Sequence, residues 1–195
     1  MNIQNEKKFF INFYSKGSPI RNSINAAVLG PIEKKKIFYS PEAKESLKEE
    51  FKSFLQTEAT KMKPFFEISF TEKYFLEKVL ILRDKVNSEF NNTNLFNLER
   101  KFTIGNSQKF LSLFLKYEWC TDRLPEPIIC PVDRVMLKES KAPFKYQNWM
   151  SINTFDEYKV RYNYLKDAAL KANLTPAQYE LIEFNNYKRK NAKNK

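Results

Sequence analysis

Two short segments hold the residue types that could do chemistry. The first is Ile104-Gly105-Asn106-Ser107-Gln108-Lys109, where one of only three glycines precedes a strongly apolar stretch. Glycine permits a tight backbone entry. At a helix start the amides of Asn106, Ser107 and Gln108 would have no intrahelical acceptor. Such amides, at the positive end of the helix dipole, bind phosphate, and Lys109 would stand on the same first turn. The second segment is Pro131-Val132-Asp133-Arg134-Val135, which puts an acid at a predicted helix start, twenty-four residues beyond Lys109. A lysine amine is a nucleophile once deprotonated, and a carboxylate can hold a developing cation or relay a proton. Both residues have plainer readings. Lys109 also suits a solvated first-turn lysine, and Asp133 a helix cap. Arg134 stands open between pairing with Asp133 and contacting a phosphate.

Composition narrows what such a pair could do. The chain has 195 residues and no histidine, which excludes a Ser-His-Asp triad, a Cys-His pair and His-ligated zinc or haem. Two cysteines cannot supply a four-thiolate metal site, so no metal or other cofactor is expected. Cys120 and Cys130 read as reduced, packed thiols. The net charge of +11 favours a polyanion partner. Lys188, Arg189, Lys190, Lys193 and Lys195 crowd the last eight residues, however, and 188–195 reads as a disordered basic tail. The N-terminal segment shows no apolar secretory region, and no apolar run approaches the roughly 20 residues of a membrane span. A cytoplasmic, membrane-free protein is the expectation.

The elements that must position these residues are helical. Ser40-Pro41-Glu42 predicts a helix start, with Ala43, Leu47, Phe51, Phe54, Leu55 and Met62 on one face up to Pro64. Thr71-Glu72 opens a second helix with the stripe Phe75, Val79, Leu82 and Val86, closed by Asn91-Asn92-Thr93-Asn94. A short helix is predicted at Leu95–Arg100. Residues Ser107–Trp119 are apolar on most sides and should form a buried helix. Three prolines make Thr121–Pro131 a loop, and a helix restarts over Val132–Lys138. Thr154 and Glu157 form a capping box for a helix through Ala172, and Thr175-Pro176 opens another through about Asn186. Phe9, Phe10, Phe13 and Tyr14 suit a helix, and Asn25–Leu29 a second. Strand candidates are Phe65–Phe70 and Ile37–Tyr39. Lys34-Lys35-Lys36 beside Ile37-Phe38-Tyr39 reads as a basic-aromatic patch or as a solvated turn. Trp119 and Trp149 suit core, cleft lining or stacking on a base. These features predict a mostly α, compact helical domain over 1–187, with room for two helical lobes.

The segments Gly105-x-Ser107-x-Lys109 and Pro131-Val132-Asp133 resemble the helix-hairpin-helix DNA glycosylase superfamily, in particular its 8-oxoguanine glycosylase and lyase branches. There a Gly-x-Gly-x-Lys hairpin precedes a buried helix, and a Pro-Val-Asp segment carries the catalytic acid. Arg134-Val135 fits the continuation seen in some branches, and Leu174-Thr175-Pro176 resembles the start of a late helix that packs on the core. The likeness spans about 95–187, with motifs only over 104–135. Ser107 stands where the family has a second glycine, and no iron–sulfur cluster can form. The same stretch also resembles an uncharacterised bacterial family, which implies a helical fold alone.

The glycosylase resemblance implies a helix-hairpin-helix-like element and a duplex-DNA partner held by Gly105, Asn106, Ser107, Gln108 and Arg134. It implies excision of an extruded base by Lys109 and Asp133, with AP-lyase activity. The alternative is a non-catalytic basic α-helical module that binds nucleic acid or protein, as a defence or regulatory accessory.

Overall fold

The computed structural model describes residues 2–14, 18–26, 39–96 and 101–192. These form eight α-helices and no strand: α1 (Ile3–Tyr14), α2 (Pro19–Ile24), α3 (Glu45–Met62), α4 (Glu72–Glu89), α5 (Ile104–Cys120), α6 (Arg134–Glu139), α7 (Phe155–Lys171) and α8 (Pro176–Ala192). Helix α5 is the axis of the fold. Every residue from Ile104 to Cys120 is buried, and α1, α2, α4 and α7 all pack on it. A helix apolar on nearly all sides has nowhere else to go.

The local signals that set the long helices are visible in atomic detail. Thr71 caps α4 by accepting the Tyr74 N–H. The stripe Phe75, Val79, Leu82 and Val86 is fully buried against α5. Thr154 and Glu157 form the reciprocal capping box that starts α7, whose Tyr158, Tyr162 and Leu165 face the core. On α3, Phe51 lies edge-on to Phe90, Phe96 and Phe102 at centroid distances of 5.5, 5.6 and 5.9 Å. Rings of this kind each add about 0.5–1.5 kcal/mol beyond the area they bury. A second, smaller apolar cluster gathers Phe10, Tyr117, Trp119, Cys120, Ala177 and Leu181, where α1 and α8 meet the end of α5.

Several expectations are corrected. Ser40 does not start α3. Its hydroxyl accepts the Glu42 N–H in a turn led by Pro41, and the helix begins at Glu45 with Lys44 at its N-cap. Phe65–Phe70 is not a strand, because Lys63–Phe66 forms a 3₁₀ turn. Leu95 and Phe96 are not helical. Phe96 makes a single antiparallel bridge with Tyr39, while 97–100 lie outside the described residues. So do the lysines at 34–36, with residues 37 and 38, and most of the predicted helix at 25–29.

The basic end is not a loose tail as far as Ala192. Helix α8 runs on through it. Arg189 pairs with Glu6 at 2.9 Å and lies over the Phe9 ring at 4.1 Å. The last turn of α8 continues because α1 supplies the opposing carboxylate and ring. Both cysteines are free, buried thiols. Burial pushes Cys120 up to about 12 and Cys130 well above its ordinary value, so neither is a reactive thiolate. Among the described residues no helix is long and apolar enough to cross a membrane.

Candidate active site

The first turn of α5 begins at Ile104, one residue ahead of the glycine. Thr103 is the N-cap, and its hydroxyl accepts the Asn106 N–H at 3.1 Å. The Asn106 side chain returns the favour by accepting the Thr103 N–H at 3.1 Å. The Ser107 N–H bonds the Thr103 carbonyl, and the Gly105 N–H donates to the Ile152 carbonyl, both at 3.0 Å. Three of the amides at this helix start are therefore already satisfied. The expectation that Asn106, Ser107 and Gln108 offer outward amides to a phosphate, with Gly105 beside them, is corrected. All four residues are buried, and a capping box plus a contact distant in sequence consumes the donors.

Each of those residues has a different task. Gly105 is required for close approach: a Cβ there would lie 2.0 Å from the Trp149 carbonyl oxygen and 3.1 Å from its carbon. The Ser107 hydroxyl donates to the Val79 carbonyl at 2.7 Å and ties α5 to α4. Gln108 is the pivot of the site. Its Nε2 donates to the Val132 carbonyl at 2.8 Å and to the Gly105 carbonyl at 3.0 Å. Its Oε1 accepts the Val132 N–H at 3.2 Å. One buried amide thus clamps both backbone groups of Val132, as a neighbouring strand would.

That clamp delivers Asp133 to Lys109, the next residue along on each side. Lys109 Nζ lies 3.4 Å from Asp133 Oδ2, with 9% and 12% of the two side chains exposed. Asp133 is also the N-cap of α6, where Oδ1 accepts the Met136 N–H at 3.0 Å. Its two oxygens therefore divide between a structural bond and the lysine. The 3.4 Å separation is longer than the roughly 2.7–2.9 Å of a tight charge-assisted hydrogen bond, so the ammonium keeps capacity for another acceptor. The indole of Trp149 lies over Nζ at 4.3 Å. Arg134 is exposed at the first position of α6, and Asp133 forms its ion pair with Lys109 instead. Lys138, Lys141 and Lys145 are exposed on the segment that follows Arg134.

The structure thus brings Lys109 and Asp133 together, leaves Arg134 exposed, and buries Gly105, Asn106, Ser107 and Gln108. Thr103 as a cap and Gln108 as a clamp were not anticipated. Thr103-x-x-Asn106 is legible as a capping pair. Gln108 and Val132 share the separation that joins Lys109 and Asp133, so an extended segment laid beside the helix start would pair both. Among the described residues no group of three acidic or cysteine side chains stands close enough to hold a metal. No protein-family model matches this chain, and no curated protein or solved structure matches it.

Proposed function

We propose that this protein is a cytoplasmic DNA glycosylase and AP lyase that works through Lys109 and Asp133. The observation that carries this reading is the 3.4 Å approach of Lys109 Nζ to Asp133 Oδ2, two residues from separate segments meeting at an edge that still touches solvent. In the reaction an extruded nucleotide presents its sugar to Lys109. The lysine ammonium gives a proton to Asp133, and the free amine adds to C1′ as the bond to the base breaks and the base departs with its electron pair. Asp133 passes that proton to the leaving base and, ionised again, stabilises the cationic character that develops on the sugar. The C1′–O4′ bond of the resulting aminal then breaks as the nitrogen's proton passes through Asp133 to O4′. The protonated Schiff base so formed loses a C2′ proton to Asp133 as the 3′ phosphate leaves with its electron pair. No step needs an imidazole. Phosphate contacts fall to Arg134, Lys138, Lys141 and Lys145 in place of the buried amides.

Borohydride trapping on a duplex with one abasic site tests this reading. The wild type should form a covalent adduct that Lys109→Gln abolishes, and Asp133→Asn should slow base excision by about 10²-fold or more. Absence of an adduct, or an adduct indifferent to Lys109→Gln, would overturn the lysine chemistry. A second reading, a non-catalytic basic helical module for nucleic acid or protein, is favoured by the closed cap of α5 and by Trp149 lying over the lysine. It predicts DNA binding that falls with salt, with neither adduct nor excision.

A further inference from the structure

Trp149 is held over Lys109 by the helix that carries the lysine. The Thr103 hydroxyl shares its one proton between the Met150 carbonyl at 3.0 Å and Asn106 Oδ1 at 2.7 Å. The Gly105 N–H bonds the Ile152 carbonyl at 3.0 Å, and the Trp149 carbonyl oxygen fills the space that a side chain at 105 would occupy. These three contacts seat the 3₁₀ turn Trp149–Ser151 on the first turn of α5. The indole is 5% exposed and its face lies 4.3 Å from Nζ. On its other side this segment faces solvent: Phe144 is 81% exposed, and Lys145, Asn148 and Ser151 are exposed too.

We propose that Gly105 and Thr103 form a latch holding the Trp149 indole as the removable wall of the Lys109–Asp133 site, and that a planar heteroaromatic ring takes the indole's place on the ammonium when that wall lifts. This rests on the pair being the functional centre. The wall is one side chain on a three-residue turn, so it opens without disturbing a helix. The other buried lysine of α5 offers the contrast. Lys116 lies between Phe10 at 4.2 Å and Phe184 at 4.5 Å, rings on helices α1 and α8 that belong with the end of α5 to the smaller apolar cluster. Trp149 belongs to the main apolar core, but it hangs on a three-residue turn whereas the rings over Lys116 sit on helices of 12 and 17 residues, and the shorter element is the one that opens locally. The chemistry of the vacated space selects the occupant. A flat electron-rich face meets the cation as the indole did, and an N–H on the ring edge meets the Asp133 carboxylate. An aliphatic ring of equal size supplies no such face.

Lysine acetylation by an N-hydroxysuccinimide ester, read residue by residue by mass spectrometry, tests the latch without DNA or catalysis. In the wild type Lys109 and Lys116 should both react slowly. Trp149→Ala should speed Lys109 about tenfold or more, and Gly105→Ala several-fold, because an alanine methyl cannot share the space of the Trp149 carbonyl. Lys116 stays protected as the internal standard for a folded chain. If Gly105→Ala also exposes Lys116, Trp149→Leu, which keeps apolar bulk without a ring, decides the point through the same Lys109 rate. An unchanged Lys109 rate with Lys116 protected overturns the latch. In Trp149→Ala, 2-aminopurine at millimolar concentration should restore protection of Lys109, and cyclohexanecarboxamide should not. Equal protection by both, or by neither, overturns the planar-ring assignment. An intact latch without borohydride adducts would count against the glycosylase reading alone.

Discussion

Both lysines of helix α5 pair with a carboxylate, two turns apart, and the two pairs are built to opposite specifications. The inner pair, Lys116 with Glu180 of α8, is 3% exposed on both side chains. Nζ stands 2.8 Å from Oε1 and 2.7 Å from Oε2, so one ammonium faces both oxygens. The outer pair, Lys109 with Asp133, is longer at 3.4 Å and keeps a solvent edge. One oxygen of Asp133 is committed to capping α6. The inner lysine lies under two phenylalanine rings on helices, and the outer one under a single indole on a short turn. The same ionic chemistry is therefore closed off from solvent in one place and left with a solvent edge in the other. Burial, tightness and the element that carries the cover make the difference, and residue type does not.

The largest effect should come from breaking the inner pair on one side only. Glu180→Leu strands a buried ammonium and should cost about 3–5 kcal/mol in urea unfolding. The double variant Lys116→Met/Glu180→Leu should recover most of that loss, because two matched apolar side chains need no counter-charge. A single variant as stable as the wild type would show that the inner site takes up water and differs little from the outer one. At the outer pair the expected losses are smaller. Asp133→Ala should cost about 1–2 kcal/mol through the lost N-cap, whereas Asp133→Asn, which can still accept the Met136 N–H, should cost only a few tenths. An equal loss for both would place the stability in the ion pair and not in the cap.

The smallest effect is a matter of sign with pH. Burial pushes the Glu180 carboxyl above its ordinary value of 4.5, with Lys116 opposing. The folded protein thus holds this proton more tightly than the unfolded chain. The contribution is complete below the unfolded value and is lost as pH rises through the folded one. The stability of the wild type relative to Glu180→Gln should therefore fall as pH climbs from about 4.5. Glu157 is the opposite case. The backbone N–H groups of Asn153 and Thr154 hold its carboxyl below the usual value. Its contribution is present above the unfolded value and is lost as pH falls through the folded one. Relative to Glu157→Gln, wild-type stability should rise with pH over that interval. Denaturant titrations at stepped pH would read both slopes, and slopes of one sign would refute the account of the inner site.

Much of the helical scaffold was legible because its determinants are local. Thr71 and Thr154 cap the helices they precede, and the stripes of α4 and α7 repeat at helical spacing. Where local cues misled, a neighbour intervened. Ser40-Pro41 has the composition of a helix start, yet Ser40 caps a turn and its N–H is engaged by the Leu95 carbonyl. The lysine-rich end of α8 looked solvated in sequence, and Glu6 and Phe9, more than 175 positions earlier, hold Arg189 in a helix. The pairing of Lys109 with Asp133 was legible as a possibility from two motifs. The fate of the α5 amides was not, because their acceptors include Ile152, which no motif connects to Gly105.

The sequence by itself determined a helical protein with no imidazole for catalysis, a buried central helix, and a lysine and an acid at two helix starts. Caps, periodicity and composition act over one or two turns, so they can be read along the chain. Only the tertiary structure decided that the helix-start donors turn inward, that Gln108 carries Asp133 to Lys109, and that Trp149 covers the pair. Those outcomes depend on which distant backbone group arrives first at a donor or a free ring face, and the packing around α5 settles that competition.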